Sequence, residues 1–303
     1  MIKTRIKAAL KAFIYPALLQ RPPPPPPHVF PKPAPEPRIV LDNQLLAGKN
    51  VLITGAGKNC GRAIALEMAK QGANVFFTDF SDQACVSLEH ELAVYPVKVK
   101  GFVADITHTA ESDGIVEYLN QNTIRIDVLV NNVGRQVTGI GLAGLTVEAW
   151  QQTFQTNVFG PLYLTRLVAE QMIANGVQGS ILFLTSIHQD VISRWPSYSA
   201  SKAALAMLIK ELAVELAPAM IRVNGIAPGW VVEEEHGQPL RHEYTPLHGC
   251  SIAPCYIGRA AVYLAADYFS AFTTGTVLKL DGGLSLYNHR VVQEPPVPNP
   301  TGG

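Results

Sequence analysis

The sequence predicts an α/β protein: a single-domain, doubly wound parallel sheet of about seven strands with helices on both faces. Three observations carry this prediction. Short runs rich in β-branched residues alternate with stretches of helical periodicity. The runs are apolar at nearly every position, the pattern of strands buried on both faces. The first run ends in a glycine-rich turn that opens a helix. The strands expected are Val51–Thr54, Asn74–Thr78, Val97–Val103, Val128–Val130, Ile181–Thr185, Arg222–Ile226 and Val277–Leu280. The helices expected between them are 61–71, 82–93, 110–122, 146–174, 198–216 and 256–267. Parallel strands need such crossovers, and ligands of these sheets sit past the strand carboxyl ends.

Composition narrows the function classes. The chain has 303 residues, 48% hydrophobic and 16% charged, which excludes a largely disordered protein. Twenty-four basic residues balance 24 acidic ones, so no bulk positive charge is available to hold a nucleic acid. Four cysteines do not make a disulfide framework.

Charge and proline set the boundaries. Residues 1–35 hold Lys3, Arg5, Lys7, Lys11, Arg21 and Lys32 and no acid. Eleven prolines fall within 1–38, including the run Pro22 to Pro27, and four within 295–300. Proline lacks the amide donor and fixes φ, so neither stretch suits a helix interior or a central strand. The expected organisation is a basic, proline-rich extension over 1–38, a folded domain over 39–290 and a flexible tail over 291–303. Ile2, Ile6, Ala9 and Phe13 share one helical face, and Lys3, Lys7 and Lys11 another, until Pro16. Such a helix could rest on an anionic membrane or contact a partner. The simpler expectation is a tail with no partner, the hexaproline acting as a stiff spacer. No run of about 18 apolar residues is present. No small-x-small cleavage site follows the apolar run, and the first serine is Ser81, unlike a secretory or transit segment. The expected location is cytoplasmic, with peripheral membrane association through the tail as the variant.

The first strand leads into Gly55-Ala56-Gly57-Lys58-Asn59-Cys60-Gly61 and then a helix. A glycine turn lets backbone N–H groups and a helix N-terminus approach a pyrophosphate. The second strand is followed by Asp79, 24 residues past Gly55, where an acid can bond the ribose hydroxyls of a dinucleotide. Asp79 would repel a 2′-phosphate and favours NAD, whereas Lys58 pulls toward NADP.

With these motifs on the page, the chain resembles the short-chain dehydrogenase/reductase family, a Rossmann-type fold. Thr54 to Gly61 resembles TGxxxGxG, with Asn59 in place of the middle glycine. Asp105-Ile106 resembles the pair that holds adenine, and Asn131-Asn132-Val133-Gly134 resembles NNAG. Asn157, Ser186 and Tyr198-Ser-Ala-Ser-Lys202 follow in family order, then Arg222-Val-Asn224, Pro228-Gly229 and Asp281-Gly-Gly283. The resemblance spans about 47–288. It implies cofactor contacts from Gly55, Lys58, Asn59, Cys60, Gly61, Asp79, Asp105, Ile106, Asn132, Gly134, Tyr198, Lys202, Pro228, Gly229 and Val231. It implies a catalytic set of Asn157, Ser186, Tyr198 and Lys202, with Lys202 also bonding the nicotinamide ribose and Asn157 anchoring a water that connects Lys202 to solvent. It also implies a dimer or tetramer through the two long helices.

The chemistry can be argued from the residues themselves. Tyr198 and Lys202 are four apart and share a helix face. A free phenol titrates near about 10, so it needs help to act as a base. A nearby ammonium and an oxidised nicotinamide favour the phenolate, which then takes the proton of an alcohol as hydride leaves. Ser186 can hold the substrate oxygen, and His188, with Ser186 and Tyr198, can face the substrate. Substrates open at this point are a sugar or polyol, a 3-oxoacyl thioester, or a flat ketone lined by Trp195, Trp230 and Tyr244.

Other features count for less. Glu233 stands where the family has a threonine touching the nicotinamide amide. The spacing of His236, His242, His248, Cys250 and Cys255 fits no compact metal motif, so no metal is expected. A non-catalytic dinucleotide sensor and a scaffold tethered by the N-terminal tail are the competing functions.

Overall fold

A computed structural model describes residues 44–136, 145–232 and 245–286. The proposed tail boundaries at 38 and 291 lie outside the described residues. Seven strands form one sheet among the described residues: β1 (Asn50–Thr54), β2 (Asn74–Asp79), β3 (Val99–Val103), β4 (Val128–Asn131), β5 (Ser180–Leu184), β6 (Arg222–Pro228) and β7 (Val277–Leu280). All neighbours are parallel, in the order β3-β2-β1-β4-β5-β6-β7. The chain builds outward from β1 to β3, then restarts beside β1 with β4. That reversal leaves a crevice beyond the carboxyl ends of β1 and β4.

The helices are α1 (Asn59–Lys70), α2 (Asp82–Leu92), α3 (Thr109–Gln121), α4 (Val147–Phe154), α5 (Gly160–Ala174), α6 (Pro196–Leu216), α7 (Pro254–Ala265) and the short α8 (Asp267–Ser270). Successive strand residues feed opposite layers. Val51, Ile53, Val128 and Val130 pack into one buried cluster with α1, α2 and α7 residues. Leu52, Leu129, Ile181 and Phe183 pack into the other with residues of α3, α5 and α6. This two-sided burial is why the strands are apolar throughout. Removing one such side chain, as in Leu129→Ala, should cost about 2–5 kcal/mol.

The expected helix over 146–174 is not continuous. α4 and α5 are joined by a π-helical turn, Gln155–Phe159, centred on Asn157. Pro161, in the first turn of α5, has no N–H to return to the Asn157 carbonyl. The Asn157 side chain is drawn instead to residue 135, as described below. The expected helix 256–267 likewise ends at Ala265, because Ala266 is extended at ψ 119 before α8 begins.

Candidate active site

The turn after β1 is shaped by close packing. A Cβ on Gly57 would lie 2.6 Å from Asp79 Oδ2, and one on Gly61 would meet the Gly55 carbonyl and, at 2.5 Å, Asn132 Nδ2. Only glycine fits either place. Asn59 has φ +49, the left-handed backbone expected of a residue in the family's glycine position. Lys58 precedes α1 in extended conformation and offers no side-chain cap. Lys58 and Asn59 are exposed, and Cys60 is half-buried, packed against the core cluster of α1, α2 and α7.

The β1 and β4 turns are stitched together. Thr54 Oγ1 accepts from Asn132 N at 3.0 Å and Val133 N at 3.2 Å. Asn132 Nδ2 donates to the carbonyls of Thr54 and Gly55, each at 2.9 Å. Asp79 is buried at the end of β2, where Oδ2 accepts from Gly57 N at 2.9 Å and Oδ1 from Ser81 N at 3.0 Å. Past β3, Asp105 Oδ1 accepts from Thr107 N at 2.9 Å beside the buried Ile106. Gly229 follows β6 and donates to Leu280 O at 2.9 Å, while Val231 bridges to Ile252. Glycine cradle, buried acid and open crevice lie on one edge of the sheet, and together they fit a dinucleotide.

On the other side of that crevice lies a polar cluster. Asn157 is fully buried. Its Oδ1 accepts from Arg135 N at 2.7 Å, and its Nδ2 donates to Arg135 O at 3.0 Å and Ser201 Oγ at 2.9 Å. Ser201 Oγ donates in turn to Tyr198 O at 2.7 Å. Asn157 is thus tied to the turn carrying Tyr198 through Ser201, a link the sequence reading missed. Ser201 sits three residues past Tyr198, but its Asn157 partner is 44 residues away and leaves no local signal.

β5 ends at Leu184, and Ser186 follows in extended conformation, its Oγ accepting from His188 N at 3.3 Å. The Ser186 hydroxyl also faces the Tyr198 phenol, near enough to favour its ionised form. Lys202 is almost wholly buried; its Nζ donates to Leu184 O at 2.8 Å and lies 5.5 Å from the Tyr198 ring centre. Burial pulls the Lys202 ammonium down to about 8. Burial pushes the Tyr198 phenol up, and the Ser186 hydroxyl bond only partly offsets this. In the protein alone desolvation is the larger influence on the phenol, whereas the expectation for Lys202 concerns the state with an oxidised nicotinamide bound. His188 lies edge-on to Tyr198 and Trp195, with ring centres 5.6 and 5.5 Å away. Burial, then the Lys202 charge, holds its imidazole below the usual range, so it is neutral at pH 7.

The structure brings Asn157, Ser186, Tyr198, Lys202 and His188 together. Glu233, His236, His242 and Tyr244 lie outside the described residues. Among the described residues no group of three His, Cys, Asp or Glu could hold a metal ion.

A parallel α/β sheet with a glycine cradle at its switch point and a tyrosine–lysine pair across the crevice defines a dinucleotide-dependent enzyme class. The model of the short chain dehydrogenase family matches residues 49–244. The chain is 33% identical to L-rhamnose 1-dehydrogenase (NAD(P)(+)) of Sphingomonas sp. over 254 residues, 80% of this chain and 98% of that protein. It is 34% identical to a 3-oxoacyl-[acyl-carrier-protein] reductase of Thermotoga maritima over 247 residues, 80% of this chain and 99% of that one. The fold matches a 7α-hydroxysteroid dehydrogenase solved with NADH and 7-oxo glycochenodeoxycholic acid, with TM-score 0.72 and 29% identity over 81% of this chain and 98% of that one. The chain belongs to the short-chain dehydrogenase family. It is an NAD(P)-dependent oxidoreductase that interconverts an alcohol and a carbonyl compound. Nothing among these relatives supports the sensor or scaffold readings.

Proposed function

We propose that Tyr198 is the acid–base residue of this reaction, that Ser186 holds the substrate oxygen, and that Asn157 and Lys202 support them. The single observation that carries this is the Ser186–Tyr198 hydroxyl pair above a buried Lys202 ammonium. Ser186 donates to one point in the crevice, where an alkoxide-like oxygen gains most from a fixed donor. Tyr198 takes the alcohol proton in oxidation and returns it in reduction. The nicotinamide, when bound, accepts or supplies the hydride. Because burial keeps the phenol protonated in the protein alone, reduction should run at neutral pH. Oxidation should speed up as pH rises toward the phenol pKa.

In this reading Gly55, Gly61, Asn59 and the N-terminus of α1 face the pyrophosphate, with Lys58 and Cys60 beside it. Asp105 and Ile106 flank adenine. Asn132, Gly134, Pro228, Gly229 and Val231 line the nicotinamide side. Asp79, already oriented by Gly57 and Ser81, reads the ribose and favours NAD over NADP. A second copy docks along α5 and α6, giving a dimer or tetramer in the cytoplasm. Residues 1–38 are a basic, proline-rich extension of the 39–290 catalytic domain, and their deletion should leave turnover intact.

Tyr198→Phe tests the assignment. It should lower kcat by about 10²–10⁴ while NADH binding, followed by fluorescence, is kept. Unchanged turnover in that variant would remove Tyr198 from the chemistry. Tighter binding of NADPH than NADH would overturn the role given to Asp79.

A further inference from the structure

Tyr198 stands in the first turn of α6, a helix of 21 residues whose N-cap, Trp195, supplies no side-chain cap. An uncapped first turn is the part of a helix most ready to fray. Two buried serines beside Tyr198 face α4 and the π turn. Ser197 Oγ lies 3.4 Å from Thr153 Oγ1, and Ser201 Oγ accepts from Asn157 Nδ2 at 2.9 Å. The two links are not equal. Thr153 has one hydroxyl proton and gives it to Ala149 O at 2.7 Å, so the Ser197 contact is weak. Ser201 is fully buried, and its proton goes to the Tyr198 carbonyl at 2.7 Å. A serine hydroxyl within a helix commonly bonds back to such a carbonyl and does no more than bend the helix slightly. Here the hydroxyl is also held from outside the helix. Asn157 is itself clamped by the N–H and the carbonyl of Arg135, at 2.7 and 3.0 Å.

We propose that Ser201 is a positioning residue for Tyr198, holding the first turn of α6 to Asn157 so that the phenol stays against the Ser186 hydroxyl. The inference rests on the acid–base reading of Tyr198. The two hydroxyls come from different elements, the start of α6 and the segment leaving β5, and both must reach one substrate oxygen. Misplacing a reacting group by about 1 Å can cost roughly a hundredfold in rate. Further along α6, Leu205 and Ile209 are fixed by the core, and Lys202 is fixed by its bond to Leu184 O. Tyr198, half-buried and one turn nearer the helix end, depends on the Ser201 link. Ser201 bonds only the Tyr198 carbonyl and Asn157, so it acts on the chemistry through Tyr198.

The test needs no substrate. Carbon-13 at the ζ position of tyrosine reports phenol ionisation by NMR, and the Tyr198 signal is the one lost in Tyr198→Phe. The full chain is titrated with saturating NAD, whose positive nicotinamide favours the phenolate and brings the midpoint down. Among the described residues the titratable groups about the phenol are Lys202, His188 and Cys60, and the variants leave all three in place. The Ser186 hydroxyl favours the phenolate, so Ser186→Ala should raise the midpoint. Ser201→Ala should raise it too, the ionised fraction at a fixed pH below the midpoint falling at least about threefold. The two changes together should raise it no further, because a phenol that has left Ser186 no longer feels its loss. Ser201→Thr keeps the hydroxyl and should restore the wild-type midpoint. Ser197→Ala, which removes the weak contact, should leave the midpoint where it is. Should Ser201→Ala fail to fold, Ser201→Cys makes the same comparison with a weak S–H donor. An unmoved or lowered midpoint in Ser201→Ala, additive shifts in the double variant, a shift that Ser201→Thr does not reverse, or an equal shift in Ser197→Ala would each overturn the inference. The expected pattern with unchanged turnover in Tyr198→Phe would uphold the Ser201 link and remove Tyr198 from the chemistry. Lost turnover there, with a midpoint indifferent to Ser201, would do the reverse.

Discussion

The turns leaving β1 and β4 and the segment leaving β5 lie on the same edge of the sheet, yet they spend their polar groups differently. Thr54, Asp79 and Asn132 bond to the backbone around them, so the first region has its shape before any ligand arrives. In the second, the Ser186 and Tyr198 hydroxyls face each other, while His188 and Gln189 keep buried atoms without a partner. A general-purpose cofactor can be met by a prebuilt cradle. A particular substrate has to be recognised by groups the fold leaves open.

Lys202 offers the largest way to break this contrast, because it is buried charge held at the border of the two regions. Its pKa falls from an ordinary 10.5 to about 8 on folding. For a base held below its unfolded value, the unfolded chain binds more protons between about 8 and 10.5, so stability rises with pH across that window. Below about 8 the full penalty applies, at most about 3 kcal/mol. Lys202→Met should therefore unfold at higher temperature at pH 7, with a difference that shrinks toward pH 10, while turnover is lost. A lower melting temperature at pH 7 would mean that the Leu184 contact outweighs desolvation.

Asn132→Leu comes next. It strips donors from the Thr54 and Gly55 carbonyls, which should cost about 1–3 kcal/mol in denaturant unfolding and weaken NADH binding. The same change near Ser186, Gln189→Leu, removes an unpartnered oxygen and one long, exposed bond to Asp190, and should leave stability within about 0.5 kcal/mol. Equal losses in the two variants would erase the contrast. Lys279→Met should have the smallest effect, under about 1 kcal/mol, because the Asp190 pair is half exposed.

Much of this was legible in the sequence because a doubly covered parallel sheet writes itself as apolar runs. All seven expected strands exist, with ends moved by two residues or fewer. The cradle was readable because Gly57 and Gly61 have no substitutes at their contact distances. The residues that long-range contacts position were harder to see. The expected helix ran through Pro161, and the π turn also depends on Asn157 reaching residue 135, 22 positions back. The sign of the Tyr198 shift was hidden too, because motif spacing shows that Lys202 is near but not how completely the pair is desolvated.

The π turn sets a phase. Each residue advances a helix by about 100°. The wider turn at Gln155–Phe159 therefore offsets everything after it from everything before. α4 packs against α6, and α5 against α3. One stretch of chain thereby serves two neighbours that a straight rod could not face together. Deleting Thr156 would restore an unbroken rod and swing one of those two faces away from its partner. The damage would then appear at α3 or at the Tyr198 helix, far from the residue removed.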